Sequence, residues 1–156
     1  MKVFTKTSAR ALLVVAFILS GLMAQQTVPQ SKSHFQMAPI PDAPGCFLGG
    51  PERGDPSKEA SIMKMKGSAG CMVPWHWHPS TENIMMISGT ARTQVKGEKP
   101  TLLHAGSFLS VPPKHVMNFV CTSECALFLH TDGPFATHYV DEKGKEITPA
   151  AALKSK

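Results

Sequence analysis

Gly70-Cys-Met-Val-Pro-Trp-His76-Trp-His78-Pro-Ser-Thr-Glu82-Asn-Ile-Met-Met-Ile-Ser-Gly89 is the most informative stretch of this sequence. His76 and His78 are two residues apart. On a strand, where side chains alternate, both imidazoles leave the same face and converge on one point. Pro79, Ser80 and Thr81 form a turn signal, and Glu82 keeps the parity of a strand that pairs with or continues the first. Two nitrogens and a carboxylate make a facial set suited to Fe(II), Mn(II), Ni(II), Zn(II) or Cu(II), with positions left open for substrate. An isolated His-x-His pair is more simply two histidines held by hydrogen bonds. Here the carboxylate and the bounding glycines favour a metal, and Trp75 and Trp77 are expected on the opposite face.

Outward from this stretch the chain is a series of short strand signals. Ile62 to Lys66 alternates, with Met63 and Met65 on one face and Lys64 and Lys66 on the other, the period-two pattern of a half-buried strand. Further candidates are Met72 to Trp77, Asn83 to Ser88, Thr90 to Lys96, Thr101 to His104, Ser107 to Val111, Val116 to Cys121, Ala126 to His130 and Thr137 to Val140. Gly89, Gly97, Gly106, Pro112-Pro113 and Asp132-Gly-Pro134 separate them. Many short strands with turn residues between them indicate an all-β sandwich or barrel. The only helical signal, Ala150 to Leu153, is too short to be stable alone.

The spacing Gly70-x5-His76-x-His78-x3-Glu82-x6-Gly89 resembles the first motif of the cupin superfamily, with every named position filled. Gly106-x5-Pro112 resembles the opening of the second motif. The resemblance covers about Ser61 to Val140 and is to small exported, RmlC-like single-domain cupins. It implies the cupin fold, a double-stranded β-helix or jelly-roll barrel with a divalent metal inside: Fe, Mn, Ni or Zn before Cu. The second motif then departs from the family pattern. Lys114 replaces a Gly, Cys121 stands where an Asn is usual, and counting from Pro112 places Met117 in the slot of the fourth ligand, usually His. His115 lies two residues earlier on the same strand face and is the alternative fourth ligand. A thioether is soft and neutral, a weak ligand for hard divalent ions and a tolerable one for Cu(I). His130, at the end of Ala126 to His130, is either a second-shell group inside the barrel or a histidine satisfied at a strand end.

The chain has 156 residues, 42% apolar and 17% charged, with a net charge of +5, which suits one compact core. Lys2, Lys6 and Arg10 precede the apolar run Ala11 to Ser20, and Ala24 is a small residue before Gln25. This is the layout of a secretory signal, and the run is too short for a comfortable membrane span. The expected organisation is a signal over residues 1–24, a Pro- and Gly-rich arm over 25–60 that excludes a helix or a central strand, a cupin domain over 61–141 and a basic tail over 142–156. Cleavage removes three of the positive charges, and with them the main argument for a nucleic-acid partner. The protein is then expected to be secreted or periplasmic, with no stable membrane anchor.

Export sends Cys46, Cys71, Cys121 and Cys125 to an oxidising compartment. Cys121 and Cys125 flank a plausible hairpin tip, so the favoured pairing is Cys121 with Cys125 and Cys46 with Cys71, the alternative being four buried thiols. Nine methionines invite a copper reading, but two lie in the signal, Met63, Met65, Met85 and Met86 alternate into strands as apolar filler, and no Met-x-Met-x-Met cluster is present. The expected activity is that of an exported monocupin binding a divalent metal and a small organic ligand, with metal-dependent oxygenase-type chemistry if it is an enzyme and no acid or base nameable outside the metal set. The rival is a non-catalytic ligand-binding cupin with a degenerate metal site. Association into a homodimer stays open.

Overall fold

A computed structural model describes residues 37–154. The expected signal over residues 1–24, the first part of the arm and the last two residues lie outside the described residues. The elements in chain order are β1 (Ala38–Pro39), β2 (Phe47–Arg53), β3 (Ser61–Gly67), β4 (Met72–Trp77), β5 (Glu82–Ser88), β6 (Thr90–Val95), β7 (Thr101–His104), β8 (Phe108–Val111), β9 (Met117–Cys121), β10 (Cys125–Thr131), β11 (His138–Tyr139) and one short helix, α1 (Pro149–Lys154). Each strand expected from Ser61 onward is present, with ends within one residue.

Two antiparallel sheets face each other, one in the order β1-β2-β3-β10-β5-β8 and the other β11-β4-β9-β6-β7. From β3 to β10 the chain changes sheet at every connection except β6 to β7, the winding of a jelly roll. The alternating residues point between the sheets: Met63 and Met65 from β3, Ile84 and Met86 from β5, Phe119 from β9, and Leu127 and Leu129 from β10 are all buried. Each such side chain taken out of water stabilises the fold by about 1.5–3 kcal/mol. Gly89, at φ 74°, turns β5 into β6, and a Cβ there would meet the carbonyl of Glu124. The six-stranded and five-stranded layers are therefore joined by a turn that only glycine accommodates without strain.

The arm differs from its expected form. Residues 47–53 make the strand β2, paired with β3 along its length and with β1 at Leu48 and Gly49. Pro51 pairs with Met63 beside an irregularity, the register with β3 shifting between Pro51 and Arg53, a place where a strand tolerates proline. Gly49 fits because any Cβ would press on the Lys64 carbonyl, 2.9 Å away, and on Ile40. The tail also carries structure: Thr148 caps α1 by accepting from the Ala151 amide, and Ala152 is buried. Cys46 is bonded to Cys71 and Cys121 to Cys125, with no free cysteine among the described residues.

Candidate metal centre

His76 reaches the interior through an irregularity in β4. Val73 pairs with Phe119 but His76 pairs with Met117, so two residues of β4, Pro74 and Trp75, oppose the single Asn118 of β9. This bulge at Pro74 and Trp75 shifts the parity of the strand. As a result Val73 and His76, three apart, both face the chamber between the sheets, and His78 follows on the same side. Trp77 points away and stacks on His138, with ring centroids 3.9 Å apart and planes 6° apart. The mid-strand Pro74 is the signal that could have announced the bulge.

Glu82 enters the chamber from the opposite sheet, at the start of β5 between Thr131 of β10 and Val111 of β8. The turn before it is pinned at two points. The Thr81 amide donates to Asp132 Oδ1 at 2.9 Å, and Ser80 Oγ donates to the Pro134 carbonyl at 2.8 Å.

The three groups are nearly dry: His76 is 3% exposed, Glu82 4% and His78 5%. His76 Nδ1 lies 2.6 Å from the Pro74 carbonyl and His78 Nδ1 2.7 Å from the Ala136 carbonyl. A carbonyl only accepts, so each ring carries a proton on Nδ1, and the neutral ring leaves Nε2 as a bare lone pair. His78 Nε2 stands 3.4 Å from Glu82 Oε1, while Glu82 Oε2 is buried with no hydrogen-bond partner. Two acceptors facing each other in a dry chamber require a proton or a cation between them. The rings of His76 and His78 meet edge to face at 4.8 Å. Among the described residues, however, no three His, Cys, Asp or Glu side chains are drawn into a formed metal-holding group.

Burial acts on both charges. Desolvation, with the neighbouring His78 adding to it, lowers the His76 pKa to about 3. Desolvation also raises Glu82 above the ordinary carboxylate value, against the opposing pull of His78.

Met117 is 1% exposed and lines the chamber directly across the ladder from His76. His115 is exposed, its Nδ1 3.2 Å from the Pro113 carbonyl, and does not line the chamber. Of the two readings of His130, the geometry favours a histidine satisfied on the strand. On β10 it has the parity opposite to Leu127 and Leu129, which line the chamber, and its ring contacts Asn83 Nδ2 at 3.2 Å instead. The alternation of β10 turns it outward.

The sequence reading missed the groups that close the chamber. Ile40, Ala43 and Phe47 come from the arm, Phe135 stacks on His78 at 4.7 Å, and Tyr139 packs 6.0 Å from His76. Tyr139 is the sole tyrosine, and its hydroxyl donates to the Asp42 carbonyl at 2.7 Å, fastening the arm over the site. Burial and Asp42 push its pKa up to about 12. The enclosed volume is only ≈ 50 Å³, room for roughly three or four water-sized bodies.

The sequence profile of the cupin domain matches residues 63–131, and with this fold that segment is a cupin domain. No curated protein matches it. Among solved structures it is similar to an RmlC-like cupin from Ralstonia eutropha, at 18% identity and a TM-score of 0.59 over 76% of this chain and 77% of that one. It is also similar to the DMSP lyase DddQ from Ruegeria pomeroyi, at 19% and 0.57 over 65% and 55%. The third is the salicylate 1,2-dioxygenase of Pseudoaminobacter salicylatoxidans, at 16% and 0.51 over 58% and 26%. This chain thus spans about half of the lyase and a quarter of the dioxygenase, and at these identities the likeness is of fold.

Proposed function

We propose that the protein is an exported monocupin that holds one divalent metal ion through His76, His78 and Glu82, with Met117 at the fourth position. In this reading it handles a small organic molecule at the barrel mouth. The supporting observation is the pair of facing acceptors, His78 Nε2 and Glu82 Oε1 at 3.4 Å, beside a buried carboxylate oxygen with no partner. A cation satisfies all three lone-pair atoms at once, and the Pro74 and Ala136 carbonyls already hold both rings in the ligating tautomer. The donor set suits Fe(II), Mn(II), Ni(II) or Zn(II) before copper. Such an ion supplies a Lewis-acid centre, which makes oxygenase-type chemistry the reaction class to test first. The chain's own contribution is to orient the two imidazoles and to keep water out with Ile40, Phe135 and Tyr139.

Protein lacking residues 1–24, purified without added metal, is expected to carry about one divalent ion per chain by mass spectrometry. His76→Ala and His78→Ala are expected to lose it; equal content in all three refutes the site. The second reading, a non-catalytic ligand-binding cupin with a degenerate site, draws on Met117 at the fourth position and on the lack of a formed three-residue group. Chain without metal that still binds organic ligand favours it.

Export to the periplasm or the medium is supported by the layout of residues 1–24 and by the bonding of all four cysteines. Among the described residues no helix is long and apolar enough to cross a membrane. The partner in this reading is a small molecule, with a homodimer left open and no part for nucleic acid.

A further inference from the structure

We propose that the barrel mouth carries a second compartment, a binding groove for a compact, uncharged organic molecule. It is built mainly by segments outside the stretch that matches the cupin domain. The groove encloses ≈ 520 Å³, within the roughly 300–1,000 Å³ of small-molecule sites, whereas the inner chamber is a tenth of that. Its walls are residues 38–42 of the arm, residues 49–51 of β2, Pro56 with Ser57, and residues 135–138. Only Met63 and Met65, at its base, fall within the matched residues 63–131. Pro39, Pro41, Pro51 and Pro56 stand around it; their fixed φ means that little backbone freedom is lost when a ligand arrives.

The two compartments share one wall. Ile40, Met65, Phe135 and Thr137 line both, and the Phe135 ring is itself stacked on His78. A molecule in the groove therefore sits one aromatic ring away from the candidate metal centre. The proposal deepens the metal reading and rests on it for what becomes of the bound molecule, while the groove exists without it.

Charge selects the class of ligand. Neither compartment is lined by a lysine or arginine among the described residues. The ionisable groups on the groove are Asp42 and His138, and His138 is already engaged, stacked on Trp77 and bonded through Nδ1 to Glu146 Oε1 at 2.7 Å. A carboxylate or phosphate entering here would lose its hydration and meet no lysine or arginine among the described residues. A neutral ring with a hydroxyl keeps its apolar contacts with Phe135, Met63 and the prolines, and can donate to Asp42 or Thr137, whereas an ammonium loses hydration and gains little in return from Asp42, which is exposed and screened by water.

The test uses three isosteric probes, benzyl alcohol, benzoate and benzylamine, titrated into the purified chain at pH 7. Ligand-observed NMR and tryptophan emission report binding, and metal content is measured on the same samples. Benzyl alcohol is expected to bind at least tenfold more tightly than benzoate. Ala38→Trp, which fills the groove from the exposed edge strand β1, is expected to abolish that binding, and Ala38→Lys to shift the preference toward benzoate. Both variants should keep the wild-type metal content. Benzoate or benzylamine binding as tightly as the alcohol overturns the proposal, as does undiminished alcohol binding in Ala38→Trp or no binding of any probe. Loss of metal with the ligand preference intact overturns only the metal reading.

Discussion

His76 and Met117 stand directly opposite each other across the β4–β9 ladder, and both side chains enter the same chamber. Met117 therefore occupies the position from which a fourth ligand would act, with a sulfur that binds hard divalent ions weakly. Imidazole suits Zn, Ni, Fe and Cu alike. Met117→His is expected to raise affinity for Zn(II) or Ni(II) about tenfold or more, roughly 1.4 kcal/mol, measured by competition with a chromophoric chelator. His115→Ala is expected to change it little, because that ring is exposed beside the Pro113 carbonyl. The opposite ranking would make His115 the ligand.

Lys114 occupies a backbone conformation that belongs to glycine. Its φ is 64°, where a side chain costs roughly 1–2 kcal/mol. Its amide donates to the His78 carbonyl at 2.8 Å, tying the loop after β8 to the end of β4. Lys114→Gly relieves the strain against about 0.5–1 kcal/mol of extra backbone entropy. A net gain of about 0.5–1 kcal/mol is expected in urea unfolding with no loss of metal. Lys114→Pro can neither take that φ nor donate, and is expected to be destabilising. A Gly variant less stable than wild type counts against the strained loop.

Most of the barrel was legible because β3, β5 and β9 alternate in burial, β10 is a short apolar run, and Gly or Pro bounds the strands. The pair His76 and His78 was legible for the same reason. What alternation cannot show is where it slips: the bulge at Pro74 and Trp75 makes Val73 and His76 inward together, and simple parity from Val73 would have turned both histidines outward. β2 was missed because Gly49 is set by close approach to Lys64 and Ile40 and Pro51 lies beside a register shift, so the run Gly49-Gly50-Pro51 carries no alternating signal. Tyr139, Phe135 and Ile40 were missed because they reach the chamber only through long-range contacts, such as the Tyr139 bond to Asp42. His130 was left undecided because a strand's ends do not say which parity faces the core.

The two disulfides should contribute unequally. Cys46–Cys71 closes a loop with a sequence separation of 25 and fastens the arm beside β4, whereas Cys121–Cys125 spans only 4. Chain-entropy reasoning gives the longer bridge about 3 kcal/mol and the shorter about 2 or less. The double variant Cys46→Ser with Cys71→Ser is therefore expected to lose about 3 kcal/mol in urea unfolding, more than Cys121→Ser with Cys125→Ser. Denatured, unreduced wild type from the exporting host is expected to alkylate at no cysteine. Four reactive thiols would contradict both the pairing and the compartment.

Burial holds Glu82 above its ordinary pKa and His76 down at about 3, so without metal the two groups weaken the fold on opposite sides. The folded chain holds the Glu82 proton more tightly than the unfolded one. That contribution is complete below pH 4.5, the ordinary value, and is lost as pH climbs through the raised one. For His76 the fold prefers the neutral ring, a contribution complete above pH 6.5 and lost as pH falls toward 3. Glu82→Gln removes only the first effect, leaving an uncharged group of the same shape. In chelator-treated protein this variant is expected to be more stable than wild type by about 1–3 kcal/mol at pH 8, the cost of a buried polar group without a partner. The gain should shrink as pH falls toward 4.5. With Zn(II) present the order should reverse, since wild type gains binding energy that the amide forfeits. Urea midpoints at pH 8, 6 and 4.5, with and without metal, separate these cases. A gain that is constant with pH, or a variant less stable than metal-free wild type at pH 8, means that the Glu82 carboxylate is not the buried, unpartnered acceptor on which the metal site depends.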